Sequence, residues 1–208
     1  MYINKSYEFL HRKIILFLAR VHVKTLKFSF FRFILRNLLS KLKNYMSVRP
    51  KKHLGQHFLW DKNIAQKIVA AFKYAPTDKV LEVGPGKGVL TQYLLQHFGE
   101  NLFAVEIDKE STKYLLEAYP ALKDYLIEED FLKIDFKSFT DKPFSIIGNF
   151  PYNISSQIFF KILDNRDQVS FVIGMVQKEL AERLYSHPGS KTYGILSVFL
   201  QAYFHCNM

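Results

Sequence analysis

Two short stretches of this chain carry residue types that could do chemistry. The first is "GNFPYNIS" at 148–155, where an apolar run ends in a carboxamide and continues into Phe-Pro-Tyr. A carboxamide oxygen at a strand end can accept one hydrogen of an exocyclic amine while a backbone carbonyl of the same turn accepts the other. Held in that way, the nitrogen moves toward tetrahedral geometry and aims its lone pair at an electrophile. This is catalysis by orientation and charge placement, and it needs no strong general base. Pro151 pre-sets the turn by fixing φ, and Tyr152 offers a ring for an extruded base, a contact worth about 1–3 kcal/mol. Asn149, Pro151 and Tyr152 are therefore the catalytic candidates. The plainer reading of the same residues is a strand cap, with Pro-Tyr packed on the helix that starts at Ser155.

The second stretch is "LEVGPGKGVLT" at 81–91, which places Gly84, Gly86 and Gly88 between a strand and a helix. Glycine suits a turn that needs positive φ and a cofactor that must approach the backbone closely. The spacing is G-x-G-x-G, unlike the G-x-G-x-x-G of dinucleotide sites, and a glycine turn alone is weak evidence. Its surroundings add to it. The next strand ends in "VEID", so Glu106 stands where a carboxylate accepts ribose hydroxyls, and Asp130 in "EEDFL" stands where one accepts from an adenine amino group. With Glu82, carboxylates at three strand ends surround the turn. That set suits a cationic cofactor without phosphates, S-adenosyl-L-methionine, whereas a pyrophosphate would be repelled.

Positioning these groups requires a scaffold, and the hydrophobic pattern supplies one. Helices are predicted over 62–74, 88–98, 109–119, 155–164, 178–186 and 192–204, and strands over 79–84, 101–108, 124–130, 144–149 and 170–177. Short apolar strands alternating with amphipathic helices imply a parallel sheet covered on both faces. The fold class is thus α/β and Rossmann-like. In such sheets ligands gather beyond the carboxyl ends of the strands near the order switch, so the end of the 144–149 strand should face the cofactor's methyl group.

Charge is unevenly spread. Of the formal +10, residues 1–45 hold ten Lys/Arg against one acid, and residues 46–208 hold nineteen basics against eighteen acids. The domain expectation is accordingly a basic leader over 1–45 and a catalytic domain over 46–208. Met46 opens "MSVRPKKHLGQHFL", a plausible natural start, which makes the leader an upstream stretch from an early start; an RNA-binding arm and a targeting segment are the alternatives. Arg49, Lys51, Lys52, Lys178, Arg183 and Lys191 are local cations available to a polyanion. The lone cysteine, Cys206, excludes a disulfide framework and a multi-cysteine metal site, and no metal site is expected. No apolar run approaches bilayer-spanning length.

From about Arg49 to Tyr203 the chain resembles the small-subunit ribosomal RNA adenine N6,N6-dimethyltransferase family. "KKHLGQHFL" (51–59) looks like its N-terminal motif, "LEVGPGKGVLT" like its glycine loop, "VEID" like its second-strand motif and "GNFPYNIS" like its catalytic loop. "VQKELAERL" (176–184) and "GSKTYGILSV" (189–198) resemble later blocks that separate it from large-subunit RNA methylases. The resemblance implies a class I S-adenosylmethionine-dependent fold. His57, Leu59, Gly84, Glu106, Asp130 and Asn149 would then contact the cofactor, and two adjacent adenines near the 3′ end of the RNA would be dimethylated. It also implies a partner in the immature small ribosomal subunit, a monomer and a cytoplasmic setting. His57 stands where Asn is frequent and Phe150 where Leu is frequent, the latter a packing position. The other functional readings are a non-catalytic RNA-binding assembly factor and an N6-adenine methyltransferase of large-subunit RNA. Family members continue past the last helix with two further strands and a small helical domain. The chain is therefore expected to be C-terminally truncated, with an open edge at strand 170–177, weak RNA binding and low stability.

Overall fold

The computed structural model describes residues 48–72 and 79–207, with positions 33, 35–37 and 39 before them. The chain divides into two units, Met1–Asn44 and Tyr45–Met208; apart from those five positions, the leader lies outside the described residues, as does Met46.

The second unit is built on five strands, β1 (Val80–Val83), β2 (Leu102–Val105), β3 (Leu126–Ile127), β4 (Phe144–Asn149) and β5 (Val169–Met175). Its helices are α1 (Lys62–Ala71), α2 (Thr91–Phe98), α3 (Lys109–Ala118), α4 (Phe136–Phe139), α5 (Ser155–Asp164), α6 (Lys178–Tyr185) and α7 (Ile195–Tyr203). All strand pairs are parallel, in the order β3-β2-β1-β4-β5. The order reverses between β1 and β4, which opens a crevice at their carboxyl ends.

Alternation along the strands sends side chains to two cores. Leu81, Val83, Phe144 and Ile146 pack with Phe136 of α4 and Ile158 and Ile162 of α5. Val80 and Ile147 pack on the opposite face with Ala65 and Val69 of α1 and Leu94 and Phe98 of α2. Each such side chain contributes about 1.5–3 kcal/mol by leaving water, and together they fix which strand ends lie side by side. The register pairs Val83 with Gly148, so Gly84 and Asn149 come next at the same level of the sheet edge.

Local caps set the helix starts. Asp61 accepts from the Asn63 and Ile64 N–H groups ahead of α1, and Asp108 accepts from the Glu110 N–H ahead of α3. Elements differ from the sequence expectation mainly at their ends. The strand predicted over 124–130 is only Leu126–Ile127, because Glu128 turns away to accept from the Thr112 hydroxyl and Asp130 to accept from the Leu132 N–H. The last helix starts at Ile195, three residues late, where the Ser197 hydroxyl accepts from the Gly194 N–H. The turn of α4 was not anticipated; Asp135 caps it by accepting from Lys137 N–H. Among the described residues β5 pairs only with β4, leaving its other edge without a strand.

Candidate active site

The carboxyl edge of the sheet places Asp130 after β3, Glu106 after β2, Gly84 after β1 and Asn149 at the end of β4 in one row. The glycine turn has the backbone its sequence demands: Gly84, Gly86 and Gly88 have φ of 66°, 56° and 72°. A Cβ at Gly86 would stand 2.8 Å from the Phe58 ring, and one at Gly88 would collide with the Tyr119 ring, so close approach is a second constraint at both. At Gly84 a Cβ would meet nothing nearer than Pro151 carbons at 3.6 Å, and Pro151 thereby roofs the turn.

A cleft beside the turn is lined by Leu59, Glu82, Gly84, Lys87 and Asn149, among others. Asn149 is oriented within it: Nδ2 donates to the His57 carbonyl at 2.5 Å, while Oδ1, shielded from solvent, has no hydrogen-bond partner among the described residues. A buried acceptor left in that condition is costly unless a ligand satisfies it. Tyr152 is half-buried and lies against His57, ring centroids 4.4 Å apart and 21° from parallel. Phe150 is the packing residue expected of it, 1% exposed and edge-on to Phe159.

The acids are more constrained than their spacing suggests. Glu106 is buried, accepting from Gly86 N–H at 3.0 Å and Asp108 N–H at 2.9 Å, and burial pushes its carboxyl up from the ordinary range. Glu82 accepts from the Thr91 hydroxyl at 2.7 Å, and burial pushes it up to about 8. At neutral pH it therefore carries a proton when no cation is near, so the edge is less negative than a count of acids implies. Asp130 is half-buried; the loop behind it is tied down by Lys161 of α5, which donates to the Leu132 and Ile134 carbonyls.

Of the predicted site residues, Leu59, Gly84 and Asn149 share the cleft. Glu106 adjoins it through Gly86, Asp130 sits two strands away, and His57 faces Tyr152 and Asn149. One functional group, Lys87, was missed, and Lys51 has another role than expected. Lys87 is 7% exposed, its ammonium 4.8 Å from the Trp60 ring centroid and 5.7 Å from that of Phe58, and burial lowers its pKa. Its place inside "GPGKG" was the available signal; the aromatic pair lies far earlier in the chain, at Phe58 and Trp60. Lys51, expected as a free cation for a polyanion, instead binds Asp108 at 2.5 Å and approaches Glu110 at 3.5 Å, which pins the N-terminal segment to the end of β2.

Known proteins resemble this chain in sequence and in fold. The sequence profile of the ribosomal RNA adenine dimethylase family matches residues 48–208. The ribosomal RNA small subunit methyltransferase A of Bacteroides thetaiotaomicron is 56% identical over 158 residues, and that of Parabacteroides distasonis 57% identical over 157. Each alignment covers 76% of this chain and 59% of the relative, so the chain spans about three-fifths of their length. A dimethyladenosine transferase from Plasmodium falciparum superposes with a TM-score of 0.57 at 31% identity, covering 70% of this chain and 52% of that one. The 23S rRNA methyltransferase ErmE gives 0.53 at 28%, covering 61% and 50%. With its glycine turn, its Asn-Phe-Pro-Tyr loop and a profile match running from Val48 to the last residue, this chain belongs to the ribosomal RNA adenine dimethylase family.

Proposed function

We propose that this chain forms the catalytic part of an S-adenosyl-L-methionine-dependent enzyme that dimethylates N6 of two adjacent adenines near the 3′ end of small-subunit ribosomal RNA. The carrying observation is Asn149 Oδ1, a shielded acceptor without a partner at the end of β4 beside the glycine turn. The names of the bacterial relatives favour the small-subunit RNA over the large. The immature small subunit as partner, a monomeric state and a cytoplasmic setting belong to the same proposal. Among the described residues no helix is long and apolar enough to cross a membrane.

The residues fit the cofactor. Gly84 leaves its backbone open, Glu106 lies at the end of β2 with its carboxylate aimed by two N–H groups, and Leu59 supplies an apolar wall. Gly84, Glu106, Asp130, Leu59 and the backbone at His57 would hold it. When bound, it supplies an electrophilic methyl group on a sulfonium. The chain's own part is placement. Asn149 Oδ1 accepts one amine hydrogen of the adenine, a backbone carbonyl of the 149–152 turn accepts the other, and the lone pair is freed from the ring. Pro151 keeps that turn in shape, packed over Gly84, with its carbonyl accepting from the Ser155 hydroxyl at 2.7 Å. Tyr152 stacks on the extruded base.

The test is to supply under-methylated small subunits and methyl-labelled cofactor and to map the label. Label on the two adjacent adenines is expected. RNA binding without label would favour an assembly factor, and label on large-subunit RNA would move the target. Asn149→Ala should cut transfer by at least about a hundredfold with cofactor affinity little changed. An equal fall in both would remove Asn149 from the target amine.

A further inference from the structure

The segment around 53–57 runs along the catalytic loop and is fastened to it repeatedly. Asn153 Nδ2 donates to the His53 carbonyl at 3.2 Å, Tyr152 N–H to the Gly55 carbonyl at 3.2 Å, and Asn149 Nδ2 to the His57 carbonyl at 2.5 Å. Gly55, with φ of 60°, lets the two backbones meet, because the Asn153 side chain occupies the place of a Cβ. All three bonds use backbone carbonyls, which any residue could supply. The contact that depends on residue type is the imidazole of His57, stacked on Tyr152.

We propose that His57 is a positioning residue for the target base. Its ring covers one face of Tyr152 and sets the plane of that ring, and the base stacks on the opposite face. Its carbonyl holds the Asn149 carboxamide with Oδ1 directed at the amine. One residue thus aligns both groups that the proposed reaction asks to grip the adenine, the acceptor and the stacking platform. Without the imidazole, Tyr152 can rotate about its side-chain bonds, and the base arrives with its amine misaligned to Oδ1. Errors of this kind cost rate far more than affinity. The base-directed half of this inference rests on the function proposed above; the alignment of Tyr152 does not.

The experiment compares the 208-residue chain with His57→Ala, His57→Gln and His57→Phe. Ring-proton NMR of Tyr152 reads the stack as an upfield ring-current shift. Steady-state transfer to under-methylated small subunits gives kcat and KM, and quenching of Trp60, the lone tryptophan, reports cofactor binding. Ala and Gln should abolish the upfield shift and lower kcat roughly tenfold or more, with KM and cofactor affinity within about twofold. Phe, which keeps a stacking face without the imidazole nitrogens, should restore both shift and kcat. The proposal is overturned if the wild type shows no upfield shift, if Ala leaves kcat unchanged, or if Phe fails to rescue. It is also overturned if cofactor affinity falls in step with kcat. A wild type that transfers no methyl group while its Tyr152 shift collapses in the Ala variant would count against the reaction and in favour of the alignment.

Discussion

Glu82→Gln tests the electrostatics of the cleft, and its effect can be worked from the surroundings of one carboxyl. The side chain is 1% exposed on β1, facing the side of the sheet covered by α1 and α2. Burial drives its pKa from 4.5 to about 8, the Thr91 hydrogen bond opposes that rise, and the Glu106 charge adds to it. A carboxyl whose folded value lies above its unfolded one is protonated in the native state and ionised in the unfolded state between those two values. Folding then takes up a proton, so stability must fall as pH rises through the interval from 4.5 to about 8. At about 1.4 kcal/mol per pH unit, the span from about pH 5 to 8 has a ceiling near 4 kcal/mol, and relaxation around the Glu82–Glu106 pair brings the expected loss to about 2–4 kcal/mol.

Glutamine keeps the volume and an acceptor for Thr91 while removing the titration. Urea denaturation at several pH values across that interval, on wild type and variant, separates Glu82 and its coupling to Glu106 from the other titrating groups. The wild type should lose about 2–4 kcal/mol more than the variant from about pH 5 to 8, roughly 5–15 °C in the melting midpoint. Parallel curves would refute the reasoning, because they would mean that Glu82 is already ionised in the folded protein. A second arm uses the cofactor. A bound sulfonium favours the ionised form, so binding near pH 7 should release a proton, visible as a calorimetric enthalpy that depends on the buffer's ionisation heat.

Two other perturbations follow from the same geometry. Lys51→Met removes the cation at the nearly buried Asp108, whose carboxyl is held below its ordinary value: burial pushes it up, but Lys51, Ser111 and the Glu110 N–H together outweigh that. Its NMR titration should move upward in the variant. The stability deficit of the variant should be fully present above about pH 4 and shrink as pH falls through the native Asp108 titration; a deficit constant across that range would remove the pair from the account. Gly88→Ala forces a Cβ into the Tyr119 ring and a non-glycine residue to φ of 72°. It should cost on the order of 2 kcal/mol or more, and an unchanged thermal midpoint would contradict it.

Much of this protein is local in origin, and the local part is readable from its sequence. β4 and α5 occupy the residues that alternation and helical spacing assign to them, 144–149 and 155–164. The glycine turn adopts the positive φ values its composition requires. These features depend on neighbours a few residues apart, where backbone sterics and hydrophobic period act directly. Chain ends of elements were less legible, as at β3, because there a side chain such as Glu128 can bond Thr112 in place of extending the ladder.

Tertiary structure alone decided the state of the site. Lys51 lies 57 residues from Asp108, and His57 lies 92 residues from Asn149, so neither partnership leaves a pattern that spacing could reveal. Docking of the 51–57 segment against the end of β2 and the loop after β4 brings those distant residues together. Burial then does what composition cannot express: it raises the pKa of Glu82, lowers that of Lys87, and leaves Asn149 with one hydrogen-bonding atom tied and the other open. Residue types determined which groups could act, while desolvation and contacts between distant parts of the chain determined their charge and aim.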